Sequence, residues 1–309
     1  MSNLELMQEP SGVLIVNKPA GITSHDVVGK VRRLYSTRRV GHTGTLDPMA
    51  TGVLVVLIGR AAKACEYLAA DAKRYEATLR LGLTTDSEDV TGNVLTTSEA
   101  IPSNNDFYAV LPQFRGKIQQ IPPMYSALKV GGKKLVDLAR QGVVIERQPR
   151  EIEIFALEAR PTDTPSDYIL DVRCSGGTYI RTLCADIGAA LGCGGVMASL
   201  HRTETGGFSI ENAHTLSQIE EMTPAERLGL LIPTEALFAS LSPVKLPAFY
   251  EKLCRSGCEI YLKKIGNPPL TAMQRVRILD QNGVFVALGE VREYENGLAV
   301  KAIKTCSLD

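Results

Sequence analysis

The sequence predicts an α+β fold: a mixed sheet interleaved with helices, followed by a small β-rich module. Three features predict it. Strand-length apolar or alternating stretches are scattered among helix-length segments without a regular βαβ rhythm, which argues against a doubly wound parallel sheet. The run Val53 to Ile58 is continuously apolar, as a strand buried on both faces would be. After about residue 240 the pattern changes to short strands separated by Gly and Asn turns.

In chain order, Val13 to Val16 is a strand by its β-branched content, and Gly52 to Ile58 is the apolar run just named. Arg74 to Leu81 and Glu151 to Ala156 alternate polar with apolar residues; Tyr168 to Ser175 and Val276 to Leu279 are short and rich in β-formers. Helices are predicted over Ser24 to Leu34, Ala61 to Leu68, Asn104 to Leu111, Leu135 to Gln141, Thr178 to Leu191 and Leu216 to Met222, several preceded by a residue able to cap. Ser240-Leu241-Ser242-Pro243 and Leu246-Pro247 read as a linker. Beyond it a helix-like segment leads into strands at Val276 to Leu279, Val284 to Leu288, Glu290 to Tyr294 and Leu298 to Ile303, enough for a small barrel. The expected division is 1–240 and 241–309. The second piece, roughly 65 residues, is near the lower limit for independent stability and is expected to dock on the first.

Composition narrows the class of protein. The 309 residues, 44% of them hydrophobic, can bury a full core. Thirty-four basic residues balance 34 acidic ones, so any polyanion must be met by a local basic face rather than by the total charge. Two clusters offer one. Arg32, Arg33, Arg38 and Arg39 lie close together, and the segment 129–150 carries Lys129, Lys133, Lys134, Arg140, Arg147 and Arg150 against Asp137 and Glu146. Either cluster alone also fits a solvated surface. The seven cysteines form no paired framework, and Met1 to Pro10 lacks the basic start and apolar core of a secretory signal. With no apolar run approaching about 20 residues, a cytoplasmic protein that contacts no membrane is expected. Cys254 and Cys258 lack the second half of a zinc site, so no metal is expected. No Walker loop or dinucleotide fingerprint occurs, so no cofactor is expected either. Ser24-His25-Asp26 holds triad residue types, but sequence neighbours cannot converge on one site as a triad must.

The stretch Gly41-His42-Thr43-Gly44-Thr45-Leu46-Asp47-Pro48-Met49-Ala50-Thr51-Gly52-Val53-Leu54 is the most informative. Its glycines let a bulky ligand lie against the backbone, and Pro48 biases Asp47 toward an extended conformation. It reads as a polar loop presenting one carboxylate, anchored by the apolar strand that follows. Taken alone, Asp47-Pro48 also fits an ordinary turn.

The full motif resembles the catalytic motif of the TruB family of RNA pseudouridine synthases. Ordered matches support the resemblance: Val16 to Ser24, Lys73 to Ala77 with Leu81-Gly82 through Asp89 and Gly92, Gly176 to Leu183, and Ser199 to Arg202. It implies the pseudouridine synthase fold, a mixed, mainly antiparallel sheet with a central cleft, plus a C-terminal RNA-contacting PUA domain. It also implies isomerisation of uridine 55 in the T-stem loop of tRNA, by base flipping and an aspartate-dependent break and re-formation of the glycosidic bond. The chain is expected to work as a monomer without a protein partner.

Residue by residue, the resemblance makes Asp47 the catalytic carboxylate and Arg181 its ion-pair partner. It makes Tyr75 a residue that stacks on the target base and serves as a base toward the sugar. His42, Tyr179 and Leu200 match substrate-contacting positions, and the 129–150 segment becomes a clamp on the RNA stem. Other readings remain: Arg181 as a surface arginine on a phosphate, Tyr75 as a core aromatic, Lys18 as a buttress behind the site. At the level of function, a guide-RNA-dependent enzyme and an RNA-binding or RNA-folding module in which catalysis is secondary stand as alternatives.

Overall fold

The computed structural model describes residues 9–67, 72–126 and 128–305. Ten strands form the main sheet. Eight lie in the spatial order His214–Thr215, Gly12–Lys18, Thr51–Ile58, Gly195–Thr205, Lys73–Leu81, Asp167–Cys174, Arg150–Pro161, Gly116–Gln120, with Val40–His42 and Phe208–Ser209 paired alongside. Two of the seven junctions in that order are parallel, the first and the third, and the others are antiparallel, giving a mixed, mainly antiparallel sheet.

The third junction divides the sheet. Thr51–Ile58 and Gly195–Thr205 pair at two positions, Thr51 with His201 and Gly52 with Arg202, then part. Gly52 has φ +103°, and a Cβ there would collide with the Arg202 carbonyl, so this close approach requires glycine. The loop bearing Asp47 leads into the strand at this seam.

Burial explains why each half holds. Thr51–Ile58 is covered on both faces: Val53, Val55 and Leu57 enter one apolar cluster, and Leu54, Val56 and Ile58 another. The helix Ser24–Leu34 lays Val27, Val28 and Val31 on the second cluster, and Thr23 with Asp26 forms a capping box at its start. Across the seam, Tyr75, Ala77 and Leu79 alternate inward from Lys73–Leu81 and pack beneath the helix Ile180–Ala190 with Leu183, Cys184 and Ile187.

The C-terminal sheet has five strands, ordered Ser242–Lys245, Arg275–Leu279, Phe285–Tyr294, Gly297–Thr305, Ile260–Tyr261, and curls as a half-barrel. Its Leu279, Phe285 and Leu288 share a cluster with Val13, Val53 and Leu57, so the sheet packs directly on the larger one.

Several elements differ from the sequence reading. The supposed linker contains the strand Ser242–Lys245, where Pro243 is tolerated because the strand lies at the sheet edge. Val284 to Leu288 and Glu290 to Tyr294 belong to one strand, Phe285–Tyr294. Gly289 marks no turn: Ile278 and Val300 fill the space a side chain would need. The helix expected over Ala61 to Leu68 is a 3-10 helix, Gly59–Tyr67, and position 68 lies outside the described residues. Gly195–Thr205, central in the main sheet, was not predicted as a strand because two register shifts break its alternation.

Candidate active site

The loop before Thr51–Ile58 is anchored on both sides of Asp47. The Ser24 hydroxyl accepts from the Leu46 N–H at 2.8 Å and donates to the Leu46 carbonyl at 3.1 Å. The Pro48 carbonyl accepts from the Gly21 N–H at 2.8 Å and from Lys18 Nζ at 3.3 Å. Lys18 is buried, also donates to the Pro19 and Ile22 carbonyls, and its pKa is pushed down to about 8, chiefly by burial. These contacts account for Lys18 as a buttress. They also separate Ser24 from Asp26, whose carboxylate serves the Thr23 cap instead. Replacing Ser24 by Ala orphans the buried Leu46 N–H, and a thermal or urea melt should show a loss of about 1–3 kcal/mol.

With its flanking backbone fixed, the Asp47 carboxylate meets Arg181. Arg181 Nε lies 2.9 Å from Asp47 Oδ2, and Nη2 lies 3.3 Å from Oδ1. The guanidinium also donates to the Ser87 carbonyl at 3.1 Å and the Tyr125 carbonyl at 2.8 Å, and approaches Asp89 at 3.8 Å. Asp89 in turn accepts from Ser87 Oγ and from the N–H and hydroxyl of Thr91. The Arg181 side chain is 6% exposed and that of Asp47 33%, so the carboxylate is the member of the pair that a ligand can reach. Burial of this kind excludes the reading of Arg181 as a surface phosphate contact. Burial raises the Asp47 pKa above the ordinary carboxylate range, and Arg181 opposes that shift without cancelling it.

Arg181 sits in the first turn of Ile180–Ala190, whose N-cap, Tyr179, makes no side-chain capping bond. Gln120 supplies the anchor from outside the helix: its Oε1 accepts from the Tyr179 N–H at 2.8 Å, and its Nε2 donates to the Tyr179 carbonyl at 3.0 Å. The Tyr179 side chain stays half-buried, and burial pushes its hydroxyl pKa up.

Tyr75 and Leu200 lie in the apolar cluster that includes Leu46 and Ala50, on either side of Asp47 in sequence. Tyr75 is buried, a core aromatic packed in the cluster that lies under the Asp47 loop. His42 ends the strand Val40–His42; its Nδ1 is buried without a partner, and burial, then the Arg202 charge, lowers its pKa. The imidazole is therefore neutral at neutral pH. Sequence reasoning assigned no site role to Ser24, Gln120, Tyr125 or Asp89. Asp89 lay within a quoted motif; Gln120 carried no local signal at all.

Two family profiles cover most of the chain. That described as the N-terminal domain of TruB family pseudouridylate synthase matches residues 32–180, and the tRNA pseudouridylate synthase B C-terminal domain matches 181–245. A protein named tRNA pseudouridine synthase B from Thiobacillus denitrificans is 44% identical over 285 residues, 92% of this chain and 93% of the relative. One of the same name from Neisseria meningitidis serogroup A is 38% identical over 293 residues, 95% of this chain and 94% of the relative. Among solved structures, the crystal structure of a Cbf5-Nop10-Gar1 complex matches at TM-score 0.76 and 25% identity, covering 97% of this chain and 86% of the other. Kinship across nearly the whole length, on a shared fold, leads to one assignment: the chain belongs to the TruB family and is a pseudouridine synthase, an isomerase.

Proposed function

We propose that the chain isomerises a uridine of tRNA, uridine 55 of the T-stem loop, with Asp47 as the acting carboxylate. The observation that carries this reading is the half-open Asp47–Arg181 pair, in which a buried cation steadies a carboxylate that substrate can reach. The reaction breaks the N1–C1′ bond, turns the base and joins C5 to C1′; the C5 hydrogen leaves as a proton and N1 gains one. A fixed carboxylate and a pocket that holds the detached base suffice for that balance. Extruding the uridine costs a few kcal/mol, which stacking and edge contacts must offset. Tyr75 and Leu200 supply apolar wall, and the half-buried Tyr179 and His42 supply polar groups for the incoming nucleotide.

The segment 129–150 acts in this reading as the clamp on the RNA stem. Gly131 and Gly132, both at positive φ, turn its hairpin, and Lys133, Arg140 and Arg150 are exposed. Residues 241–309 form a PUA-like RNA-binding domain beside the catalytic 1–240, and the chain acts as a monomer without a partner protein.

The test is tritium release from 5-³H-uridine in an unmodified T-arm transcript, with no guide RNA. Release that disappears when uridine 55 is changed to cytidine supports the reading. No release from folded, RNA-binding protein overturns it in favour of a guide-dependent enzyme or a binding module.

The pH dependence has a definite sign. Asp47 must be ionised to act, so the single-turnover rate is level at higher pH and falls as pH drops through its folded pKa. That pKa is raised, so the acid limb should have its midpoint above the ordinary aspartate value of 3.8. A rate still level at that pH would contradict the assignment.

A further inference from the structure

Arg202 is the largest of the fully buried side chains, 1% exposed, and it lies at the seam between the two halves of the sheet. Its backbone pairs with Gly52 on one side and with Tyr75 on the other. Its guanidinium directs its donors to main-chain oxygens: Nε to the Val53 carbonyl at 2.7 Å, Nη2 to the Gly44 carbonyl at 3.0 Å, and Nη1 to the Thr45 carbonyl at 3.5 Å. One side chain therefore binds the loop three residues before Asp47 and the strand six residues after it. The same charge acts on the Tyr75 hydroxyl and on the His42 ring. A planar fork that reaches several carbonyls at once is a geometry lysine cannot reproduce.

We infer that Arg202 is a positioning residue for the isomerisation: it fixes the separation between the Asp47 loop and Tyr75 across the seam. It acts through the Asp47 loop, whose carbonyls it holds, and through Tyr75, with which it interacts, rather than as a reacting group itself. This rests on Asp47 and Tyr75 acting as proposed above. A displacement of about 1 Å between two such groups is worth on the order of 100-fold in rate, with little effect on ground-state binding.

The experiment compares wild type, Arg202→Lys, Arg202→Gln, Tyr75→Phe and the Arg202→Gln/Tyr75→Phe double variant. Each is measured for melting temperature, transcript Kd and single-turnover tritium release. Release by wild type establishes the underlying reading first; its absence would overturn that reading rather than this one. The expected result is folded Arg202 variants that bind RNA within about 3-fold of wild type but react roughly 100-fold more slowly. The double variant should fall short of the product of the two single losses, because both changes disturb one geometry. Near-wild-type rates, a loss confined to Kd, or strictly multiplicative losses would overturn the inference. So would failure of both Arg202 variants to fold, which would make the residue a structural staple alone.

Discussion

Asp47→Asn should bind the transcript as tightly as wild type and release no measurable tritium, a loss of about 10⁴-fold or more in the single-turnover rate. Asparagine keeps the shape and one acceptor oxygen but removes the negative charge that either reacting centre, sugar or base, would need. The fold should survive. Because burial raises the Asp47 pKa, the folded state binds that proton more tightly than the unfolded chain does. The contribution to stability is therefore complete below the unfolded pKa and lost as pH rises through the folded one. At neutral pH the ionised carboxylate is a cost that asparagine removes. Arg181 retains the Ser87 and Tyr125 carbonyls as acceptors. A melt together with filter binding separates this outcome from misfolding. A variant that still releases tritium would exclude Asp47 as the acting group.

Arg181→Met should lose both activity and stability. Without the guanidinium, Asp47 and the buried Asp89 face each other uncompensated, and two carbonyl acceptors lose their donor. Breaking a buried pair by removing one partner costs about 3–5 kcal/mol, and a denaturant melt should read a loss of that size. Arg181→Lys keeps the charge without the fork, so it should recover much of the stability but little of the rate. Equal melting temperatures for wild type and Arg181→Met would show that the pair does not support the fold.

The contrast between these residues shows what the sequence could convey. Asp47 was legible because its neighbours announce the loop: Gly44, Pro48 and Gly52 dictate local backbone geometry, and the apolar run after them dictates burial. Its meeting with Arg181, 134 positions away, came from motif resemblance, since no periodicity or spacing encodes so distant a contact. Gln120 and Arg202 went unassigned for the same reason. Their partners are main-chain atoms of remote segments, and a carbonyl leaves no mark on the sequence that supplies it. The α+β class and the edges of Ser24–Leu34 were readable from apolar spacing and the Thr23 cap. The strand Gly195–Thr205 was not, because its bulges scramble the alternation by which a strand is recognised.

The two-pair seam in the main sheet bears on where the candidate site is assembled. Asp47 belongs to the half built from residues 12–58, whereas Tyr75, Asp89, Arg181 and Leu200 belong to the half built from 73–205. Neither half alone contains the Asp47–Arg181 pair. The carboxylate and the arginine that pairs with it meet only across the seam, so the geometry of the candidate site depends on how firmly the two halves are held together.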